Sequence, residues 1–519
     1  MFDYNQFSII NALAQFNIEV TEKYQKPLTL CRALVNDTRD IIKNDIFCAV
    51  IGQQQDGRDY IDQAIKQGAS LVLIECTQAK QHGDISRGRV GTDTAVIIKF
   101  YQLNLQLFTL CQYYYQYPQK EMTVIGITGT NGKTSTCQLV ARLLESNKQS
   151  CAIIGTLGAG RLNRLTPLKN TTPGATELHS YFNQFRADKI QNIAMEVSSH
   201  ALDQNRIKAD VIDIAVFTNL SRDHLDYHQT MAAYAEAKQQ IFTSNNKQIA
   251  VLNGDDEQAQ LWLKEWPQEQ TIIVFGRYIE QSDYCQYVKA KNIHHNSQGV
   301  QFLLATHLGE LQVTSPLLGH FNIDNLLAAV AVLLAKNIDF LSICDAISHL
   351  KPVTGRMETF SAPHHTTAVV DYAHTPEALA NALDACREHC QGKLWLVFGC
   401  GGDRDQGKRA LMGKIAESKA DHIIITNDNP RSEAPELIAN DILAGCQHAE
   451  KIALILDRKQ AVLSTLAQAK NNDIVLLAGK GHEDYIIIGE QQLYYDERAV
   501  VSEFFQQQIK KNNNNEVSL

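Results

Sequence analysis

The chain has 519 residues, 44% of them hydrophobic and 20% charged, and its 48 lysines and arginines against 57 aspartates and glutamates give a formal net charge of −9. A chain of this length can form roughly three or four domains, each with a sizeable core. The acidic balance argues against a general nucleic-acid binder, because such a protein carries a concentrated basic face.

Neither a targeting signal nor a cysteine-based metal site is predicted. The N-terminus carries an acidic residue, Asp3, and no basic segment, unlike a signal peptide. The apolar runs are too short or too polar to span a membrane, so no membrane insertion is expected. The 12 cysteines include no C-x-x-C pair, which predicts neither a zinc ribbon nor a disulfide framework. These features indicate a cytoplasmic protein.

The first hundred residues have the pattern of a small α/β module. Apolar runs at 45–52 and 70–74 predict buried strands, and residues 60–68 predict a helix that ends at a glycine. The polar stretch 77–93 predicts an exposed loop without an assigned role. A helix is predicted over 103–117, because Pro118 should end it.

From Met122 onward, strands and helices alternate as in βαβ units. Residues 123–128 form a near-continuous apolar run, which is typical of a parallel strand covered on both faces. Further strands of this central module are predicted at 193–197, 211–218, 249–252 and 271–275. After Pro352 a third module has strands predicted at 368–371, 394–398, 422–426, 452–456 and 474–478. The polar tail 506–519 is predicted to fray.

A glycine-rich segment joins the predicted strand 123–128 to a helical pattern. The segment consists of Gly129, Thr130, Asn131, Gly132, Lys133, Thr134 and Ser135. Glycines let the backbone N–H groups face phosphate oxygens, Lys133 can reach the β and γ phosphates, and the Thr134 hydroxyl can bind Mg²⁺. The match to a Walker A motif is not strict, because Ile127 stands where its first glycine would be. The segment predicts ATP binding.

The run GITGTNGKTS resembles the nucleotide loop of the Mur ligases, which extend the peptide stem of the peptidoglycan precursor. The resemblance implies an α/β protein of three domains, expected here at residues 1–100, 101–353 and 354–519. It implies a central parallel-sheet, P-loop-type ATPase domain between a small α/β domain that binds the UDP-linked substrate and a Rossmann-like domain that binds the amino acid. A monomer is expected.

Catalytic and metal-binding residues are expected around the phosphate loop. Glu196 follows a predicted strand, where sites of α/β proteins form. By resemblance, Glu196 and His224 help to bind a second Mg²⁺, and Lys238 carries a carbamate, N6-carboxylysine, that serves this metal. With Thr134 for the first ion, two Mg²⁺ ions are expected. From residue chemistry alone, His224 could as well be an ordinary loop histidine. Lys238 would be read as an exposed lysine on a helix.

The same resemblance implies contacts with the two nucleotides. The uridine substrate is expected to meet Thr38, Gln53, Gln54, Asn170, Thr171, Thr172, Ser198, Gln204 and Arg206. Thr38 stands where a serine is common in the family, and Gln53 and Gln54 replace a histidine-containing stretch. ATP is expected to meet Asn322, Asn325, Arg356 and Asp371, although an Asn near a helix start also serves as a cap.

The last domain carries the segment that indicates the amino acid. The segment D-N-P-R, Asp428, Asn429, Pro430 and Arg431, resembles that of the family members that add meso-diaminopimelate. The planar guanidinium of Arg431 can bind the distal carboxylate of meso-diaminopimelate bidentately, whereas L-lysine would leave it unpaired. By resemblance, Arg404, Gly479 and Glu483 hold the α-carboxylate and amino groups.

The expected activity is therefore ATP-dependent addition of meso-diaminopimelate to UDP-MurNAc-L-Ala-D-Glu through an acyl phosphate. Three alternatives stay open. A lysine-adding ligase of the same family is disfavoured by Arg431. Folylpolyglutamate synthase would share the phosphate loop without needing the D-N-P-R segment. A non-catalytic nucleotide-dependent switch would bind ATP without needing Lys238.

Overall fold

The computed structural model describes residues 8–52, 55–243, 247–296, 299–448 and 452–516, with side chains to residue 510. The chain forms two compact units, Met1–Val274 with Ala331–Asn337 and Phe275–Val330 with Ile338–Leu519. Gln53 and Gln54, predicted to contact the uridine nucleotide, lie outside the described residues.

The first unit begins with a helix-covered sheet. Its strands are β1 Leu34–Val35, β2 Ile46–Ala49, β3 Leu71–Cys76, β4 Ile85–Val90 and β5 Asp93–Tyr101. Its helices are α1 Ile9–Ala14, α2 Glu22–Leu28, α3 Ile61–Lys66 and α4 Leu103–Tyr114. The strands run in the order β1-β2-β3-β5-β4, and all neighbours pair in parallel except β4 with β5.

The predicted exposed loop at 77–93 is wrong, because its residues 85–90 form strand β4 of this sheet. Strand β4 pairs antiparallel with β5 over six residue pairs, from Ile85 with Ile98 to Val90 with Asp93. It is the edge strand and exposes polar side chains. A strand that is solvated in this way lacks the apolar alternation by which a strand is recognised.

The same unit continues with a largely parallel sheet. Its strands are β6 Thr123–Thr128, β7 Cys151–Gly155, β8 Gly158–Arg161, β9 Arg164–Thr166, β10 Asn192–Glu196, β11 Ile214–Phe217, β12 Ile249–Asn253 and β13 Ile272–Gly276. Its helices are α5 Lys133–Ser146, α6 Ala175–Ala187, α7 Ser199–Asp203, α8 Leu225–His228, α9 Met231–Gln239 and α10 Glu257–Lys264. Strands β12, β11, β6, β10 and β7 pair in parallel, so their carboxyl ends share one edge. Of these five strands, β7 was not predicted.

The second unit begins with an antiparallel meander that was not predicted. It consists of β14 Tyr287–Asn296, β15 Gly299–Thr306 and β16 Gly309–Ser315. Helices α11 His320–Ala335 and α12 Phe340–Ser348 follow. Residues Leu326 to Leu333 of α11 are buried on all sides of the helix, which explains the continuous Ala/Leu/Val sequence there.

The rest of this unit is a mostly parallel sheet with helices. Its strands are β17 Glu358–Ser361, β18 Thr367–Asp371, β19 Leu394–Phe398, β20 His422–Ile425, β21 Ile452–Leu454 and β22 Ile474–Ala478, and the hairpin β23 Tyr485–Ile488 with β24 Gln491–Tyr494 lies apart. Its helices are α13 Pro376–His389, α14 Gly407–Lys419, α15 Pro435–Leu443, α16 Arg458–Gln468 and α17 Glu497–Glu516. The strand order is β17-β18-β22-β19-β20-β21.

The tail differs from its prediction. Instead of fraying from residue 506, the chain stays helical to Glu516 within α17. The first turns of this helix bury Val501 and Phe505 in a core cluster, which fixes its beginning and lets the polar turns continue from it. Within the described residues, no helix combines the length and the apolar character that crossing a membrane requires.

Candidate active site

The predicted phosphate loop is a sharp turn between β6 and α5. Gly129 and Gly132 have φ angles of 151° and 85°, which favour glycine. A Cβ on Gly129 would lie 1.9 Å from Thr218 Oγ1, so a larger residue does not fit this turn. Helix α5 begins at Lys133, and its first N–H groups face the loop. The arrangement forms a cradle for an anion.

Lys133 and Asn131 hold this loop closed on itself. Lys133 Nζ donates to the carbonyl oxygens of Gly129 at 2.6 Å and Thr130 at 2.8 Å. Thr218 Oγ1 donates to the Asn131 carbonyl at 2.6 Å. Thr218, at the end of the neighbouring strand β11, was not singled out from the sequence, because nothing local marks its contact with the loop.

Glu196 ends β10 beside the loop and is 2% exposed. Thr134 Oγ1 donates to its Oε2 at 2.9 Å, and the Thr156 N–H donates to its Oε1 at 2.8 Å. A Cβ on Gly155 would lie 2.2 Å from Oε1, so this glycine leaves room for the carboxylate. Ser135 is buried in the first turn of α5. Hydroxyl and carboxylate oxygens are the donors that Mg²⁺ prefers.

Lys238 is buried on α9, with 1% of its surface exposed. Its Nζ lies 4.4 Å from the centroid of the Tyr234 ring. Burial, and next the positive charge of Lys133, hold the pKa of Lys238 well below its ordinary value, against the opposing effect of Asp223. Lys238 therefore gives up its proton more readily than an exposed lysine does.

His224 opens α8 near the same aromatic ring. Its Nε2 lies 3.4 Å from Asp223 Oδ2, and its ring centroid lies 6.1 Å from that of Tyr234. Thr130 Oγ1 also donates to Tyr234 Oη at 3.3 Å. Tyr234 thus contacts the phosphate loop, the predicted metal-binding histidine and Lys238. The sequence signal was its position four residues before Lys238 on one helix face.

Several hydrogen-bonded polar side chains lie at the carboxyl end of β10. Thr172 Oγ1 donates to the Glu196 carbonyl at 2.8 Å and accepts from the Ser198 N–H at 3.0 Å. Arg206 donates through Nη2 to Gln204 and through Nη1 to the Thr172 carbonyl at 3.4 Å. The structure therefore brings together Thr172, Ser198, Gln204 and Arg206, all predicted for the uridine substrate. Thr171, also predicted, has its hydroxyl 3.3 Å from that of Thr156.

A lysine joins the two remaining segments predicted for the uridine side. Lys169 Nζ donates to Asp37 Oδ2 at 2.8 Å and to Asp40 Oδ2 at 2.7 Å. Thr38 lies between these two aspartates in the sequence and is buried. Asn170, next to Lys169, is exposed. The ion pairs hold the Thr38 segment close to the segment that contains Asn170.

The residues predicted for ATP in the second unit are engaged with backbone and ring groups. Asn322 Nδ2 donates to the Leu318 carbonyl at 2.9 Å, and Asn325 Nδ2 donates to Asn322 Oδ1 at 3.2 Å. These two bonds are not N-cap bonds, because in an N-cap the side-chain oxygen accepts from a backbone N–H, whereas here both side-chain amides donate. Asp371 accepts from the N–H groups of Met357 and Ala373, each at 2.8 Å.

Arg356 is oriented by Tyr372 and has a donor to spare. Its Cζ lies 4.7 Å from the centroid of the Tyr372 ring. Its Nε is buried and, across the described part of the chain, has no hydrogen-bond partner. A buried guanidinium donor without a partner is costly, and an anion such as a phosphate group would satisfy it.

A fully buried lysine organises the amino-acid region. Lys480 Nζ donates to Asn429 Oδ1 at 2.8 Å and lies 3.0 Å from Asp428 Oδ1 and 3.1 Å from Glu483 Oε2. Asn429 Nδ2 in turn donates to Glu483 Oε2 at 3.0 Å. We call Asp428, Asn429, Lys480 and Glu483 the Lys480 network. Next to it, Gly479 has a φ of 114°, and a Cβ there would lie 3.0 Å from Asp428 Oδ2.

Arg431 lies two residues after Asn429 of this network, and one end of its guanidinium is held by a hydrogen bond. Its backbone φ is 52°, and its N–H donates to the Ile487 carbonyl at 3.0 Å. Its Nη1 donates to the Gly402 carbonyl at 2.8 Å. Pro430 lies just before it, and a Cβ on Gly402 would meet the Pro430 carbonyl oxygen at 1.9 Å. The close approach of these loops orients the guanidinium plane.

A second buried cation holds the Arg404 loop. Arg409, 1% exposed, pairs with Glu433 at 2.8 Å and with Asp441 at 2.8 Å. Glu433 Oε1 also accepts from the Asp403 N–H at 2.5 Å. Arg404 follows in this loop and is exposed. Neither Lys480 nor Arg409 was predicted, since Asp428 and Asn429 lie far from Lys480 in sequence, as Glu433 and Asp441 do from Arg409.

A buried ion pair connects the last helix to the same loops. Arg458 and Glu497 both have fully buried side chains, with Arg458 Nε 2.5 Å from Glu497 Oε2. Arg458 also donates to the carbonyl oxygens of Asn427 at 3.0 Å and Ala478 at 2.9 Å. These carbonyls directly precede Asp428 and Gly479. The first residue of α17 therefore supports the Lys480 network.

Two family models match the chain: the Mur ligase middle domain over residues 127–333, and the Mur ligase, glutamate ligase domain over residues 355–481. The UDP-N-acetylmuramoyl-L-alanyl-D-glutamate–2,6-diaminopimelate ligase of Haemophilus influenzae strain 86-028NP is 42% identical over 458 residues, which cover 88% of this chain and 93% of that protein.

Solved structures agree. A structure of UDP-N-acetylmuramoyl-L-alanyl-D-glutamate–2,6-diaminopimelate ligase matches with a TM-score of 0.68 and 33% identity, over 96% of this chain and 99% of that one. The MurF ligase of Thermotoga maritima in complex with ADP shares the fold, with a TM-score of 0.59 and 21% identity over 93% and 98% of the chains. The predicted three-domain α/β fold class is confirmed, and the chain belongs to the Mur ligase family.

Proposed function

We propose that this protein is an ATP-dependent ligase that joins meso-diaminopimelate to the D-Glu residue of UDP-MurNAc-L-Ala-D-Glu in peptidoglycan precursor synthesis. The observation that carries the proposal is the orientation of Arg431 beside the Lys480 network. The chain is also 42% identical to ligases named for this amino acid.

The reaction has two steps. The γ-phosphoryl group of ATP passes to the D-Glu side-chain carboxylate, which releases ADP and leaves an acyl phosphate. The amine of diaminopimelate then attacks the acyl carbon, the C–O bond to phosphate breaks, and the amine gives up a proton. The N–H groups at the start of α5 and the charge of Lys133 stabilise the transferring phosphoryl group. Lys133 must exchange its bonds with the loop carbonyls for bonds to the nucleotide.

The second unit selects the amino acid. Arg431 pairs with the distal carboxylate of meso-diaminopimelate, and Arg404 and Glu483 take the α-carboxylate and the ammonium group. L-lysine has no distal carboxylate and would leave a desolvated guanidinium unpaired. A site built around such a bond can reject the analogue by as much as about 10⁴-fold.

Two Mg²⁺ ions fit the residues of the first unit. Thr134 would hold one ion with the phosphates, and Glu196, His224 and a carbamate on Lys238 would hold the other. The cluster of hydroxyl and carboxylate oxygens around Glu196 supports this assignment. The ions, when bound, offset negative charge on the phosphoryl oxygens.

The burial of Lys238 supports its carbamylation. Only a neutral amine attacks CO₂, forming an N–C bond and releasing one proton, and the pKa of Lys238 is well below its ordinary value. We expect protein equilibrated with ¹³C-bicarbonate to give a carbamate carbonyl NMR signal that Lys238→Arg removes. Lys264→Arg, at an exposed helix position, is the control and should keep the signal. An equal signal in the Lys238→Arg protein would contradict the proposal.

The protein is further proposed to act as a cytoplasmic monomer, with Thr38, Asn170, Thr171, Thr172, Ser198, Gln204 and Arg206 lining the uridine side. Cytoplasmic action fits the use of ATP and the free state of the cysteines. The proposed domain boundary after residue 353 is supported by the family models, which match on either side of it. Light scattering of the purified protein tests the monomer.

The decisive experiment measures phosphate release from ATP with purified protein, Mg²⁺ and UDP-MurNAc-L-Ala-D-Glu. Parallel reactions contain meso-diaminopimelate, L-lysine or no amino acid. We expect release with meso-diaminopimelate alone, together with a product heavier by that residue. Release with lysine would contradict the assigned role of Arg431. Release that depends on neither amino acid would contradict the ligase and direct the search to folate substrates or a nucleotide switch.

Two variants test the residues that separate these alternatives. Arg431→Lys should lower kcat/KM for meso-diaminopimelate, whereas Arg387→Lys, at an exposed ion pair with Asp421, should not. Lys238→Ala should abolish ligase activity. A nucleotide switch would keep full function in the Lys238→Ala variant.

A further inference from the structure

A cluster of imidazole and carboxylate groups lies in the second unit, next to the start of α11, the helix that carries Asn322. His295 is the penultimate residue of β14, and His320 begins α11. Glu388 and His389 end α13. Three chain segments far apart in sequence thus bring four metal-binding side chains to one place, and the proposed ligase reaction uses none of them.

The ligand atoms of three of these residues converge. His295 Nδ1 lies 3.2 Å from His389 Nε2 and 3.8 Å from Glu388 Oε2. The ligand atoms of His295, Glu388 and His389 all lie within 4.8 Å of one another. In a tetrahedral zinc site with bonds of roughly 2.0–2.1 Å, neighbouring ligand atoms are separated by roughly 3.4 Å. Two of the separations are therefore already close to that value.

Neighbouring groups hold the His389 ring and the Glu388 carboxylate in place, as outer-shell hydrogen bonds do for the ligands of a metal site. His389 Nδ1 lies 2.5 Å from the Asn296 carbonyl oxygen, to which it donates, so Nε2 carries the lone pair. The Gly319 N–H also points to this Nε2, at 3.2 Å, and a bound ion would replace that contact. His320 Nε2 lies 3.1 Å from Glu388 Oε1 and fixes the carboxylate.

One arginine stands near the imidazoles of the cluster. Arg277 faces the cluster, but its guanidinium is paired with Asp324 at 2.8 Å and 3.2 Å. The two carboxylates, Glu388 and Asp324, outweigh this one arginine.

We propose that His295, Glu388 and His389 bind one divalent transition-metal ion of the zinc class, with water in the fourth position and His320 positioning Glu388. Two imidazoles and one carboxylate suit Zn²⁺ or Co²⁺ rather than Mg²⁺, which prefers oxygen ligands. The ion would tie β14 to α13. These elements fall in the stretches that match the middle-domain and glutamate-ligase-domain models, respectively.

Cobalt titration of the full-length protein tests this site. With Mg²⁺ in large excess to occupy oxygen-rich sites, Co²⁺ binding is followed by its visible absorption, and Zn²⁺ is then added as competitor. We expect the wild-type protein to bind one tetrahedral ion that Zn²⁺ displaces. His295→Gln and Glu388→Gln should weaken this binding by more than the roughly 10–100-fold that loss of an outer-shell partner costs.

A neighbouring histidine provides the matched control. His294 precedes His295 on β14, is exposed and lies outside the cluster. His294→Gln should bind the ion as the wild-type protein does. Zn²⁺ should raise the melting temperature of the wild-type protein and of His294→Gln, but not that of His295→Gln. Absence of the tetrahedral signal, or equal binding by all variants, would overturn the proposal and leave a hydrogen-bonded histidine cluster. If His295→Gln fails to fold, Glu388→Gln at the exposed end of α13 decides between the outcomes.

Discussion

The phosphate region and the amino-acid region of this protein are stabilised in different ways. The phosphate region depends mainly on the backbone. Its glycines have positive φ angles, the N–H groups at the start of α5 face the loop, and a hydroxyl and a backbone N–H bond to Glu196. The amino-acid region depends on buried charged side chains, above all Lys480 with three polar side-chain partners from two loops. The phosphate loop of the first region is specified by contiguous sequence, and the second region by contacts between distant segments.

This difference predicts how each region fails. The phosphate loop should lose its function when a side-chain atom is added at one of its close-packed glycines, while the surrounding fold persists. A buried ionic network loses stability as well, because removal of one partner leaves the other charges buried and uncompensated. The following four substitutions test this contrast, from the largest expected effect to the smallest.

Lys480→Met should have the largest effect. It removes the cation from between Asp428 and Glu483, and breaking a buried ion pair in this way costs about 3–5 kcal/mol of unfolding free energy. Urea unfolding measures this loss, and amino-acid-dependent phosphate release should disappear with it. Lys459→Met, at an exposed position of α16, is the control. A loss below about 1 kcal/mol would show that the network is not the main support of this region.

Gly129→Ala should impair nucleotide binding more than folding. The new Cβ would lie 1.9 Å from Thr218 Oγ1, so the loop must shift. We expect the ATP dissociation constant from calorimetry to rise at least ~10-fold, or about 1.4 kcal/mol. Gly91 also has a positive φ, 62° against 151° at Gly129, but no atom lies within 4 Å of the Cβ that Gly91→Ala adds, so this variant introduces backbone strain without the clash. Equal affinities in the two variants would rule out the clash as the cause.

His482 should make the amino-acid region sensitive to acid. Burial, then the charges of Arg356 and Arg498, lowers its pKa to about 4, whereas an unfolded histidine titrates near ~6.5. Between these values the unfolded chain binds the extra proton, so unfolding free energy falls by about 1.4 kcal/mol per pH unit as pH decreases. His482→Gln should flatten this slope in urea unfolding, and His364→Gln, which is exposed, should not. An unchanged slope in His482→Gln would assign it to other groups.

Lys169→Ala should have the smallest effect. Its ion pairs with Asp37 and Asp40 are solvated, and such pairs contribute about 0–1 kcal/mol. Lys291→Ala, which removes a comparable surface pair with Glu310, should cost as little. Thermal melting at low and high salt measures both, and a loss for Lys169→Ala as large as that for Lys480→Met would undo the contrast between exposed and buried pairs.

The sequence predicted the parts of the site that are contiguous. The phosphate loop could be recognised because strand, glycines, Lys133 and helix follow one another, and Glu196 because it ends a strand. Tyr234 and Lys480 could not, since their importance depends on partners that only folding brings near. Their closest signals were short-range: Tyr234 lies one helical turn from Lys238, and Lys480 stands between two glycines.

The fold was predicted where burial shapes the sequence on both sides of a strand. The parallel strands around β6 were recognised from continuous apolar runs. The edge strand β4 and the meander β14–β16 were missed, because solvent-facing positions interrupt their apolar pattern. The last helix was misjudged for a related reason, since Phe505 and Val501 fix its beginning while its later residues are polar.

The bond between Arg458 and Glu497 has a practical consequence for shortening or tagging this protein. Deleting α17 would strip a fully buried guanidinium of its carboxylate directly behind the D-N-P-R and G-K-G-H-E loops. A chain cut after residue 510 keeps Glu497, Val501 and Phe505 and should remain active. A chain cut before residue 497 should lose amino-acid recognition even though no proposed ligand-binding residue is removed. Affinity tags therefore belong after the end of α17.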